Sequence, residues 1–180
     1  MLLVRQKGIG IIGMNMNVLR NLTYGVYAVT TMDGTRPTGC IANSAMQITA
    51  TPATLAVSIN HDNFTNECIK KTKEFALSIC SEKTEPLVIG TLGYRSGRDN
   101  DKFENLAYEM VDGLPVLKDA CGYIVCKVKD TFETETHTIF LGEIVNGDVL
   151  KNEEPMTYAY YHRVIKGSSP KNAPTYLPEE

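Results

Sequence analysis

What most restricts the fold of this chain is a two-residue alternation of apolar and polar side chains, recurring in short runs broken by turn residues. Residues 25–31 (Gly-Val-Tyr-Ala-Val-Thr-Thr) and residues 36–43 flank the sequence Met32-Asp33-Gly34-Thr35. β-Branched and aromatic runs on either side of an Asp-Gly pair mark a β-hairpin, because the glycine takes the positive φ that a tight hairpin turn demands. Residues 44–49 continue extended, Thr51-Pro52 breaks the run, and residues 54–59 (Thr-Leu-Ala-Val-Ser-Ile) supply another apolar strand. Residues 75–80 read as a strand as well. Residues 123–129 and 138–145 both alternate and are separated by the polar stretch 130–136, which makes them adjacent antiparallel strands.

Helical signals are few and short. Residues 17–22 read as a short amphipathic helix leading into the first strand, and residues 85–92 as a second short helix. Asn60-His-Asp-Asn63 is turn chemistry, with Asp62 or Asn63 placed to cap a helix running to about Lys71. The longest irregular stretch, residues 93–103, is polar and carries glycines; ordered loops of that length tend to serve function. Several short strands with turn signals and a few flanking helices predict a mainly β protein, an antiparallel barrel closed or partly open.

At 180 residues the chain suits one domain, and 43% hydrophobic with 22% charged residues favours neither a disordered nor a membrane class. No apolar run approaches the roughly 18–20 residues of a membrane span. With a net charge of −3 and scattered cations, no basic footprint for nucleic acid exists. Cys40, Cys68, Cys80, Cys121 and Cys126 lie in apolar strand-like runs and read as reduced core thiols. No C-x-x-C pair occurs and the three histidines are far apart, so no metal is expected. The Asn-x-Thr triplets at Asn21 and Asn63 would accept a glycan only in a secreted protein.

Residues 1–15 read as an extension that need not be native, with Met14 or Met16 as alternative starts. Within them Gly8-Ile-Gly10-Ile-Ile-Gly13 matches the glycine pattern of a dinucleotide-binding turn, but no buried strand precedes it and no βαβ unit follows. The main domain spans residues 16–166. From Lys166 the tail, with Pro170, Pro174 and Pro178, carries no periodic signal and is expected to be extended or loosely ordered.

Thr38-Gly-Cys-Ile-Ala-Asn-Ser44, Gln47-Ile-Thr49, Pro52, Val57-Ser58, Asn63-x-Thr65 and His137-Thr-x-Phe-Leu-Gly-Glu143 resemble the flavin reductase-like family of FMN-binding split barrels. Ser96-Gly-Arg-Asp-x-Asp-Lys-Phe103 and residues 158–176 are similar to the flavin reductase half of high-molecular-weight rubredoxins. The resemblance implies a Greek-key split β-barrel that holds FMN, takes electrons from NADH or NADPH, and works as a cytoplasmic homodimer with both subunits at each site. With no rubredoxin-type C-x-x-C in this sequence, it further implies a separate acceptor, such as rubredoxin.

It also assigns residues. The segment with Thr38, Ala42, Asn43 and Ser44 would line the flavin ring; by itself Asn43-Ser44 is ordinary turn chemistry. Ser58, Asn60, Asn63 and Thr65 flank a strand-to-helix junction where hydroxyls, amides and a helix N-terminus together hold a phosphate, the alternative being a plain N-cap. Arg98 and Lys102 would add positive charge for the phosphate or the nicotinamide dinucleotide, unless they are solvated loop cations. His137 takes the family's catalytic histidine position near the flavin, against the alternative of a structural histidine. Hydride transfer asks the protein for placement rather than for an acid or nucleophile. Two other functions share the pocket: an FMN-holding electron carrier for rubredoxin-type partners without efficient NAD(P)H turnover, and a non-enzymatic ligand-binding barrel.

Overall fold

The Asp-Gly turn closes a hairpin as the sequence demands. In the computed structural model, which describes residues 15–176, β1 (Tyr27–Asp33) pairs antiparallel with β2 (Arg36–Ala42), from Tyr27 opposite Ala42 to Asp33 opposite Arg36. Gly34 in the turn has φ +61°. The Gly8–Gly13 pattern and nearly all of the 1–15 extension lie outside the described residues, as do residues 177–180.

Five more strands complete a seven-stranded antiparallel sheet. They are β3 (Ala45–Ala50), β4 (Ala53–Asn60), β5 (Glu74–Ile79), β8 (Gly122–Glu133) and β9 (His137–Val149), in the order β2-β1-β5-β8-β9-β4-β3. The order departs from the sequence because the β4–β5 connection, carrying α1 (Phe64–Thr72), crosses the fold. β6 (Tyr108–Val111) and β7 (Leu114–Leu117) form a separate hairpin. The sheet curls until β2 touches β4 without hydrogen bonding to it, so the barrel is open along that seam. This is the partly open antiparallel barrel that the alternation predicts.

Alternation becomes packing inside the curl. Val29, Val57, Phe75, Leu77, Cys126 and Phe140 are buried together with Ile69 of α1. All five cysteines are free thiols and buried, and burial pushes Cys80 and Cys126 up to about 12, where they carry no nucleophilic thiolate at neutral pH.

Three elements differ from expectation. Residues 17–22 do not make an amphipathic helix: Met16–Asn21 is a 3₁₀ helix that buries none of its residues, so no apolar face forms. The polar stretch 130–136 is mostly strand, since β8 and β9 continue pairing out to Glu133 and Thr138. The tail, as far as residue 176, folds back onto the body rather than extending. A third helix, α3 (Tyr158–Arg163), capped by Thr157 Oγ accepting the Tyr160 N–H at 3.0 Å, leads it back across the open seam.

Candidate functional site

A cavity of about 350 Å³ lies at the seam, within the range of small-molecule sites. One wall is the end of β2, with Cys40, Ile41 and Ala42, followed by Asn43; the other is the end of β4, with Ser58, Ile59 and Asn60. The turn before α1 and its first residues, through Asn63, Phe64 and Thr65, close one end. Strand ends meet a helix N-terminus here because β2 and β4 diverge, leaving main-chain groups and short polar side chains facing space.

The turn at 60–63 is set by Asn60, whose Oδ1 accepts the Asp62 N–H at 2.9 Å. Neither Asp62 nor Asn63 caps α1 as the sequence suggests: Asn63 holds the N-cap position, and its side chain makes no cap bond. The first turn of α1 thus reaches the cavity without a side-chain cap, and its one acidic residue, Glu67, is held by Lys71 and Arg98, so its N–H groups favour a bound anion although Asp62 also lines the cavity.

Ala42, Asn43, Ser58, Asn60, Asn63, Thr65 and Lys102 all line the cavity. Lys102 is no solvated loop cation. Only 3% exposed, it donates from Nζ to the Gly39 carbonyl at 2.6 Å and the Leu92 carbonyl at 2.8 Å, and no carboxylate pairs with it among the described residues. Burial lowers its pKa. A buried ammonium with a free donor and no counter-charge is suited to an anionic ligand.

Four of the expected residues stand elsewhere. Arg98 lies on the surface, bound to Glu67 Oε2 through Nη2 at 2.6 Å and stacked over the Phe64 ring at 4.8 Å. Its neighbour Arg95 lines the cavity instead. Ser44 sits behind the wall, donating to the Ser58 carbonyl at 2.7 Å and so stapling the β2–β3 corner to β4. Thr38 Oγ1 is buried without a partner beneath Gly97, where an added Cβ would come within 2.4 Å of it. His137 is one strand away, directly opposite Asn60; its Nδ1 meets Thr136 Oγ1 at 2.8 Å and its Nε2 is buried without a partner. Burial pushes its pKa below 6.5, so the ring is neutral at pH 7.

Sequence reasoning missed the remaining walls. Ile89 and Tyr94 of α2 (Pro86–Tyr94), Tyr158 and Tyr161 of α3, and tail residues Ser168, Pro170, Lys171, Asn172, Ala173 and Pro174 all face the same space. The Tyr-Ala-Tyr-Tyr-His cluster at 158–162 was the available signal, since aromatic side chains beside an aperiodic tail give it something to pack on.

Asn43, 5% exposed, leaves Oδ1 buried and unpartnered at the cavity wall, an acceptor that fits an imide N–H. Residues 19–169 match the flavin reductase like domain family. The chain belongs to this family. This flavin reductase-like chain is 42% identical over 165 residues to the high molecular weight rubredoxin of Moorella thermoacetica, covering 91% of this chain and 72% of that one. To the ferric-chelate reductase (NAD(P)H) of Archaeoglobus fulgidus it is 35% identical over 166 residues, 91% of this chain and 98% of the other. Among solved structures, the NADH:FAD oxidoreductase of Streptomyces globisporus C-1027 superposes with a TM-score of 0.73 at 22% identity, over 78% of this chain and 84% of that one, a likeness of fold.

Proposed function

We propose that this flavin reductase-like chain takes electrons from NADH or NADPH onto FMN held in the seam cavity and passes them to an acceptor. The observation that carries the reading is the convergence of Asn43, Ser58, Asn60, Asn63, Thr65 and Lys102 on one cavity of about 350 Å³ in a member of this family. When bound, the flavin supplies the hydride-accepting and electron-passing chemistry. The protein's share is placement and electrostatics. Asn43 Oδ1 would accept from the ring's imide, while the α1 N-terminus, Asn63, Thr65 and Lys102 would hold a single phosphate. Ile41, Ile89 and Tyr94 would supply an apolar wall for the ring. His137, neutral and one strand behind Asn60, would support that edge of the site rather than exchange a proton.

A homodimer fits the exposed apolar side chains Met46 and Ile48 on edge strand β3 and Phe132 at the end of β8, which a second copy would cover. Five free cysteines suit the reducing cytoplasm. The relationship to the Moorella rubredoxin favours a rubredoxin-type protein as acceptor, and with it the alternative of an FMN carrier that oxidises nicotinamide slowly.

An absorption spectrum of the purified protein, before and after anaerobic NADH or NADPH, tests the reading. Flavin bands that bleach on reductant are expected. A colourless protein that takes up no FMN would overturn it, and bands that bleach only with a reduced protein partner would favour the carrier.

A further inference from the structure

The tail reaches the cavity through a chain of hydrogen bonds whose last two links have a fixed direction. His162 Nδ1 lies 2.8 Å from the Gly167 carbonyl, and because a carbonyl only accepts, Nδ1 carries the proton. Its Nε2 lies 3.3 Å from Ser169 Oγ. Ser169 Oγ also hydrogen-bonds Tyr158 Oη. Tyr158 Oη accepts from Thr175 Oγ1 at 3.1 Å. Thr175 in turn accepts from Asn43 Nδ2 at 2.8 Å.

The end of that chain matters for the site. An asparagine amide presents a donor at one corner and an acceptor at the other, and nothing in its shape distinguishes them. Reversing Asn43 would set its carbonyl oxygen against Thr175 Oγ1, which could meet it only by withdrawing its proton from Tyr158, so the turned amide costs the relay a hydrogen bond. The relay therefore holds Nδ2 toward the tail and leaves Oδ1 buried, without a partner, on a residue that lines the cavity.

We infer that Thr175 is a positioning residue for ligand recognition: it holds the Asn43 amide by its Nδ2 and leaves the acceptor Oδ1 unpartnered, so that the site selects ligands whose ring edge presents an imide N–H. The inference rests on the flavin reading of the cavity, and it assigns to the tail a part in specificity that no cavity-wall residue supplies. A flavin meets this demand through the N–H between its two pyrimidine carbonyls; the same flavin methylated at that nitrogen does not.

The test is the ratio of dissociation constants for FMN and 3-methyl-FMN, measured by flavin fluorescence on the intact protein, the Thr175→Val variant and the Thr175→Ser variant. Loss of one buried hydrogen bond should make the methylated flavin bind roughly tenfold more weakly to the native protein. Thr175→Val frees the amide to turn and should bring the ratio close to one, while Thr175→Ser should restore it. A native ratio near one, or an undiminished ratio in Thr175→Val, would overturn the inference while leaving the flavin site standing. If neither flavin binds the native protein, the flavin reading fails and takes this inference with it.

Discussion

Asn60 on β4 and His137 on β9 face each other as directly paired residues, which ties the histidine to the wall of the cavity without placing it inside. The family position of this histidine suggests contact with the flavin; the geometry pairs it with the cavity-lining Asn60 and sets its ring near the backbone of Asn172, also on the cavity lining.

The first prediction follows from its burial, which lowers its pKa below 6.5. As pH falls through 6.5 the unfolded chain takes up this proton before the folded one does. Stability is thus full above 6.5 and declines on acidification until the folded-state pKa is passed. His137→Gln removes the group, so the drop in Tm between about pH 7.5 and about pH 5.5 should be smaller than in the native protein. An equal drop in both proteins would assign the acid sensitivity elsewhere.

Lys102 and Arg98 separate what a loop sequence leaves equivalent. Lys102→Met removes the buried ammonium, strands the Gly39 and Leu92 carbonyls, and should cost about 1–3 kcal/mol of stability. It should also weaken FMN binding at least about tenfold, since a charge-assisted contact is lost. Arg98→Ala gives up an exposed, salt-screened pair with Glu67 and should leave FMN affinity within about twofold of native. Titration of FMN into both variants decides it; equal losses would mean that Arg98 reaches the ligand.

Two glycines give a matched pair of opposite sign. At Gly97 an added Cβ would fall 2.4 Å from Thr38 Oγ1, 3.0 Å from the Phe64 ring and 3.5 Å from Lys102 Cδ. Gly97→Ala should therefore cost about 1–3 kcal/mol by overpacking and shift Lys102 enough to weaken FMN binding. Gly90, inside α2, has nothing within 4 Å of the same position. Gly90→Ala should stabilise the protein by about 0.5–1 kcal/mol through helix propensity, with FMN affinity unchanged. Thermal melts and FMN titrations of the two variants would show both effects.

Local physics made most of the barrel legible. The β1–β2 hairpin is written in its Asp33-Gly34 turn, and β4, β5, β8 and β9 in their alternation. The β6–β7 hairpin carries the same Asp-Gly signal at Asp112 and Gly113, both at positive φ, but strands of four residues are too short for alternation to show. What sequence could not settle was long-range. Lys102 is buried by carbonyls that come from β2 and α2, and the tail is ordered by Tyr158, His162 and Asn43, none of which its own aperiodic composition announces. The same limit applies to Arg98, whose partner Glu67 is fixed only once α1 is in place.

Glu133, at the end of β8, clamps the turn and helix that form the proposed phosphate end. Its carboxylate meets Lys70 Nζ of α1 at 2.9 Å, His61 Nε2 of the turn at 2.8 Å, and accepts from Thr138 Oγ1 at 2.9 Å. The Lys70 contact first, then those of Thr138 and His61, hold its pKa at about 2. A carboxylate lowered in the folded state stabilises it above the ordinary value of 4.5, and that contribution is lost as pH falls toward about 2. Because the group is exposed, the effect should shrink as salt rises. Glu133→Gln should therefore flatten the acid limb of the stability profile below 4.5 at low salt, while at neutral pH the loosened turn, which carries Asn60 and Asn63 to the cavity, binds FMN less tightly. Acid titrations at low and high salt, paired with FMN binding at neutral pH, read the two consequences separately. An acid limb identical to the native one would show that the clamp contributes nothing to folding.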